Sequence, residues 1–176
     1  MSLMRPLIAG DLVLEPQVAA HADAMFVVLS DPRIYEHENA PPASVDALRE
    51  RFRRLESRLS ADGQELWLNW VIRLPGGDLA GFVQATVSPG GRAAIAYELA
   101  SAHWGRGIAY HAVQAMIDEL VDGFGVHTLY AVLQRDNRRS LRLLERLGFG
   151  ATLPDEGVAR PVEPGELLMH RAGRSA

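Results

Sequence analysis

The chain has 176 residues, 48% of them apolar, with 22 acidic against 18 basic side chains and a formal net charge of −4. That length suits one core, so a single domain over residues 1–176 is expected, and the lack of any basic block argues against a nucleic-acid partner. The absence of Cys excludes disulfides, thiolate metal sites and a Cys nucleophile, and the absence of Lys excludes a Walker lysine and a pyridoxal Schiff base.

Leu12-Val-Leu-Glu-Pro16 reads as a first strand. Ala19 to Leu29 follows as a helix with Met25, Phe26 and Leu29 at helical spacing, and it stops at Ser30-Asp31-Pro32 because the residue before a proline disfavours helix. Residues 33–43 are a loop with two prolines, and Ser44 is an N-cap. From there Val45, Leu48, Phe52, Leu55 and Leu59 form one apolar stripe, with Arg49, Arg53 and Arg54 on a solvated face. Leu66–Leu74 and Leu79–Val87 are strands joined by the hairpin residues Pro75-Gly-Gly-Asp78. Ser88-Pro-Gly-Gly-Arg92 turns into a further strand, Ala93–Ala100, to complete an antiparallel meander.

The meander leads into Trp104-Gly-Arg-Gly-Ile-Ala109, then a helix over 106–122 with Ile108, Ala112, Met116, Leu120 and Val121 toward the sheet. Gly123 and Gly125 end that helix. The next strand, 128–134, lies parallel to the one before the helix, as a β-α-β crossover requires. Asn137 opens a last helix with Leu141, Leu144 and Leu147 inward and Gly148 as its stop. Two short strands, near Phe149–Leu153 and Leu167–Arg171, close the chain. No apolar run approaches the roughly 20 residues of a membrane span. Met-Ser-Leu-Met-Arg-Pro has no signal-peptide core, so a cytoplasmic protein without a membrane partner is expected.

The strand-to-helix turn carries the chemistry. The first N–H groups of a helix lack internal partners and sit at the positive end of its dipole, so they suit a pyrophosphate. Gly105 and Gly107 permit close approach, and Arg106 adds forked donors. A dinucleotide fingerprint would need Gly or Ala three residues after Gly107, where Tyr110 stands.

The run resembles the central motif of the GNAT family of N-acetyltransferases, Gln/Arg-x-x-Gly-x-Gly/Ala. Gly107 and Ala109 match its last two fixed positions, with Trp104 in the Gln/Arg place, as in the branch that acetylates ribosomal-protein N-termini. Asn137-Arg-Arg-Ser140-Leu-Arg-Leu-Leu-Glu-Arg-Leu-Gly148-Phe149 resembles that branch's second signature, Asn-x-x-Ser-x-x-Leu-Leu-x-x-x-Gly-Phe. The likeness spans about Leu12 to Met169. It implies an α/β (α+β) fold with a mixed central sheet of about six to seven strands, a β-α-β acetyl-CoA-binding core and flanking helices.

The resemblance also implies roles. Acetyl-CoA would lie where the strands before and after the crossover helix part. Leu99 and Ser101 would offer backbone groups to pantetheine, and Asn137 would hydrogen-bond the same arm. Trp104 and Gly105 would bind the cofactor with the rest of the turn, in which Arg106, Gly107, Ile108 and Ala109 would hold the phosphates. Ser140 would protonate the leaving thiolate. Relatives carry a Tyr four residues before the Gly-Phe pair, Leu144 stands there here, and Ser140 is then the only hydroxyl expected at the spot. Glu98 is the first candidate for general base, with Glu156, Glu163 and His37 as alternatives. Asn137 and Ser140 as plain helix caps, and Glu98 as a carboxylate paired with an Arg, are the competing structural readings. The six His form no ligand cluster, so no metal is expected. The acceptor would be a protein N-terminus, an amino acid or a small-molecule amine, and the protein could pair as a homodimer. The rival reading is an acyl-CoA-binding module without turnover.

Overall fold

A computed structural model describes residues 4–37, 39–151 and 161–174. Among these residues eight strands form one mixed sheet, β1 Leu7–Ala9, β2 Leu12–Pro16, β3 Leu66–Arg73, β4 Leu79–Ser88, β5 Arg92–Leu99, β6 Thr128–Gln134, β7 Gly150–Ala151 and β8 Glu166–Ala172, in the order β1-β2-β3-β4-β5-β6-β8-β7. The count is one above the expected range. The addition is β1, whose three residues, with Ile8 70% exposed, are too few to show a strand period.

Among the described residues four α-helices cover the sheet: α1 Ala22–Val28, α2 Val45–Leu55, α3 Ile108–Phe124 and α4 Arg138–Arg146. Helix α1 is shorter than expected because Ala19–His21 is a separate 3-10 turn, and Pro32–Tyr35 forms another inside the expected loop. Helix α2 starts where Ser44 Oγ accepts the Ala47 N–H at 3.0 Å and buries Leu48 and Phe52. It ends at Leu55, so Leu59 leaves the helical stripe and bridges Leu66 instead. Arg49 pairs with Asp23 at 2.9 Å and Asp46 at 2.6 Å, and Arg53 pairs with Glu50, as a solvated face would.

The core has two parts, one on each face of the sheet. Leu68, Trp70 and Ile72 of β3 pack with the Ala112–Leu120 face of α3, while Val71 packs with Met25, Leu48 and Phe52 of α1 and α2. With both faces covered, β3 reads as a nearly unbroken apolar run. Helix α3 begins after Gly107 and ends at Gly125, both in the left-handed region, so it runs two residues later than the expected 106–122. Gly123 lies inside it and is not its stop.

The feature that makes the site is a divergence. Strands β5 and β6 pair in parallel only at Arg92 with Thr128, Ala93 with Leu129 and Ala94 with Tyr130. Beyond Ile95 and Ala131 each keeps its outer neighbour: β5 stays with β4 to Gly81–Leu99, and β6 stays with β8 throughout. Gly81 sets how close β4 can come to the diverging strand. A Cβ there would stand 2.0 Å from the Glu98 carbonyl oxygen and 2.9 Å from Leu99 Cα, both backbone atoms that cannot yield. Gly81→Ala is therefore expected to lower stability by about 1–3 kcal/mol, the usual cost of overpacking. A thermal melt reads it, and an unchanged midpoint would mean that β4 and β5 separate freely at this point.

Candidate active site

The divergence opens a cleft of about 790 Å³ between β5 and β6, floored by the 103–110 turn and walled by α4. Its main-chain edge follows from the ladder. The Ala100 N–H donates to the Ala80 carbonyl at 2.9 Å, and antiparallel pairs alternate between bonded and non-bonded. Glu98 and Ala96 therefore turn their backbone groups to β4, and Ile95, Tyr97 and Leu99 turn theirs toward the cleft. Gly91, at the same odd phase, confirms it, since its carbonyl accepts the His127 N–H at 2.8 Å where β6 begins.

At one end of the cleft stands the start of α3. Gly105 and Gly107 hold φ of 75° and 77°, which side chains rarely adopt. The first amide bonded back into the helix is that of His111, to the Gly107 carbonyl at 3.1 Å. The N–H groups of Ile108, Ala109 and Tyr110 precede it and have no helical partner. Gly105, Gly107, Ile108 and Ala109 line the cleft. Arg106 is exposed beside the turn and does not.

Trp104 ties this end to β5. Its indole N–H donates to the Leu99 carbonyl at 2.9 Å, and its ring packs against both parts of the core. The Arg139 guanidinium lies 3.2 Å from the centre of that ring and Arg33 lies 5.0 Å from it, in cation–π contacts. Ser101 stands outside the cleft lining. Its N–H is given to Asp31 Oδ2 at 2.7 Å, and hydrogen bonding from Ser101 holds the Asp31 carboxyl below the usual range.

Asn137 caps α4, its Oδ1 accepting the Ser140 N–H at 3.1 Å, so the capping reading holds for the acceptor end of that side chain. Asn137 also lines the cleft. Ser140 Oγ turns away from its own helix to the Tyr97 hydroxyl, 2.5 Å away. The expectation that Ser140 is the only hydroxyl at this place is therefore corrected. Leu99 faces the core, so strand alternation puts Tyr97 on the same side, and that spacing was the signal that would have found it. Burial pushes the Tyr97 hydroxyl up to about 12.

Glu98 points to the opposite face, where its ladder partner Phe82 packs with α1 and α2. It lines the cleft, its Oε1 lies 3.2 Å from the Leu99 N–H, and its charge acts on Tyr35 and Arg139. Tyr35 donates to the Leu29 carbonyl at 2.5 Å, and burial first, then Glu98, raises its pKa. The remaining base candidates separate. His37 lines the cleft with Nδ1 3.2 Å from Asp136 Oδ1. Glu163 is exposed before β8 and does not line it. Glu156 lies outside the described residues. His103 lines the cleft, with a buried Nδ1 that has no hydrogen-bond partner among the described residues.

Comparison with known proteins agrees with this geometry. A family model for the acetyltransferase (GNAT) domain matches residues 11–150. An uncharacterized N-acetyltransferase p20 of Bacillus licheniformis is 28% identical over 163 residues, 91% of this chain and 88% of that protein. The crystal structure of a ribosomal-protein-S5-alanine acetyltransferase from Vibrio fischeri superposes with a TM-score of 0.79 at 16% identity, covering 97% of each chain. RimL, a ribosomal L7/L12 alpha-N-protein acetyltransferase solved with coenzyme A, gives 0.79 at 16% identity over 96% of this chain and 98% of its own. At that identity the two structural likenesses are likenesses of fold.

Proposed function

This chain belongs to the GNAT acetyltransferase family and is an acetyltransferase, and we propose that it moves acetyl from acetyl-CoA to a primary amine by direct attack, within one domain. The observation that carries the reading is the edge of β5 where it leaves β6, open at Ile95 and Tyr97 and leading past Leu99, whose N–H and carbonyl are engaged by Glu98 and Trp104, to the bare amides before α3. An amide-rich arm can pair with that edge as a strand would, while its pyrophosphate meets the helix start. RimL, solved with coenzyme A, has the same fold.

On this reading Gly105, Gly107, Ile108 and Ala109 receive the phosphates, with Arg106 reaching them from outside the cleft. Trp104 fixes the turn against Leu99. Leu99 and the Asn137 amide hold pantetheine, and Ser101, bonded to Asp31, braces the end of β5. A cleft-facing N–H of β5 polarises the thioester carbonyl. Glu98, on the face toward α1 and α2, accepts the proton of the attacking amine, directly or through water. Ser140, on the face toward α4, donates a proton to the sulfur as the C–S bond breaks. Base and acid thus approach the reacting carbon from opposite faces of one strand, which strand alternation supplies without further construction.

The acceptor is an amine of a protein N-terminus, an amino acid or a small molecule. A thiol-release assay with acetyl-CoA against a panel of such amines tests the reading. Amine-dependent release is expected. Saturable CoA binding with no release from any amine would instead favour a binding module.

A further inference from the structure

We propose that Tyr97 is a positioning residue for proton delivery to the leaving sulfur: its hydroxyl, 2.5 Å from Ser140 Oγ, fixes that oxygen so that the serine's own proton faces the cleft. The inference rests on the reading of Ser140 as the proton donor.

Tyr97 is half-buried at the cleft wall, packed against the core. Two oxygens are near the Tyr97 hydroxyl, Ser140 Oγ at 2.5 Å and the Ser140 carbonyl at 3.5 Å. The second is too long for a good O–H···O bond, and although either hydroxyl of the 2.5 Å pair can donate, we assign the phenol as donor to Oγ. Tyr97 keeps its proton throughout the range in which the protein would work, since burial raises its pKa to about 12. It therefore remains a neutral donor. Ser140 Oγ, with one lone pair taken by Tyr97, has its own hydrogen left over, and no other side-chain bond of that hydroxyl occurs among the described residues. A serine in the first turn of a helix ordinarily turns back to its own backbone. Here the Asn137 side chain already takes the Ser140 N–H, and Tyr97 draws the hydroxyl outward.

The step balances. As the C–S bond breaks, its electron pair goes to sulfur and the Ser140 proton follows. As charge develops on Oγ the Tyr97 proton shifts toward it along the 2.5 Å bond, since a phenol is a stronger acid than an alcohol. The proton removed from the amine passes by way of Glu98 to solvent, and solvent returns a proton to the Tyr97–Ser140 pair. Tyr97 ends the turnover as the same neutral phenol, and it touches neither substrate nor sulfur.

The test is a double-mutant cycle on kcat with Tyr97→Phe, Ser140→Ala and both together. Phe keeps the ring and its packing and removes only the hydroxyl. Tyr97→Phe is expected to lower kcat about tenfold, the scale of one hydrogen bond, with KM for acetyl-CoA unchanged. The double variant should be no slower than Ser140→Ala alone, because Tyr97 acts only through Ser140. Additive losses overturn the proposal, because Tyr97 would then act independently of Ser140. A slow Ser140→Ala beside a full-speed Tyr97→Phe overturns it while sparing the reading of Ser140. A full-speed Ser140→Ala removes both. As a second measurement, an acetyl thioester of an acidic aryl thiol has a leaving group that needs no proton. The Tyr97→Phe deficit should vanish with that donor, and a deficit that persists overturns the proposal.

Discussion

Gly107→Glu is expected to abolish CoA binding while leaving the protein folded. Gly107 caps α3 with φ of 77°, in the region L-residues avoid. Any side chain there costs roughly 1–2 kcal/mol of backbone strain. Space is not the obstacle, since a Cβ would meet nothing closer than the His111 ring at 3.7 Å. The carboxylate is the obstacle: it would occupy the bare amides and place like charge at the proposed pyrophosphate site. Gly107→Ala shares the strain and lacks the charge, so it should lose far less affinity. Arg106→Ala should also lose less, because the amides remain. Calorimetric titration with CoA reads all three, and an unchanged affinity for the Glu variant would end the assignment of this turn to phosphate.

Ser140→Ala is expected to lower kcat by about 10²-fold, the low end for a positioned acid, because a thiol is already a fair leaving group. Acetyl-CoA affinity should hold, since a group used only in the transition state leaves ground-state binding alone. Stability should fall as well, by about 0.5–1.5 kcal/mol, because the half-buried Tyr97 hydroxyl loses its partner 2.5 Å away. The helix cap is not the cause, since Asn137 supplies it. The two effects separate when kcat is expressed per folded molecule. A fall in melting temperature with full kcat would leave Ser140 a purely structural partner of Tyr97.

The long elements were legible because period and punctuation agreed. Ser44 announced α2, the Pro75–Asp78 turn announced the β3–β4 hairpin, and Trp104 to Ala109 marked the start of α3. What escaped was either too short or not local. Strand β1 holds three residues, and its place depends on β2 lying beside it. Gly123 looked like a helix stop because glycine is usually found there, yet it sits opposite the Glu119 carboxylate inside the last turn of α3. Arg139 on Trp104 and Asp31 on Ser101 join residues distant in the chain, and no local spacing announces such pairs. Tyr97 was within reach. Two positions from Leu99 on one strand, it had to share that residue's face, but only the packing of α4 against β5 brings Ser140 to it.

An unpaired strand edge is a template for another chain, and proteins usually guard such edges at the rim of a sheet. Here the bare edge of β5 lies in the interior of the sheet, between β4 and β6. Three residue pairs, from Arg92–Thr128 to Ala94–Tyr130, clamp its foot, so the opening is a wedge and not a lane. A second polypeptide laid along β5 would have to carry its side chains into the narrowing angle against Ala131 and Leu133, and it would run out of room within a few residues. The clamp thus limits by shape how far another strand could pair along β5, beside the charge that Glu98, Arg138 and Arg139 bring to the cleft.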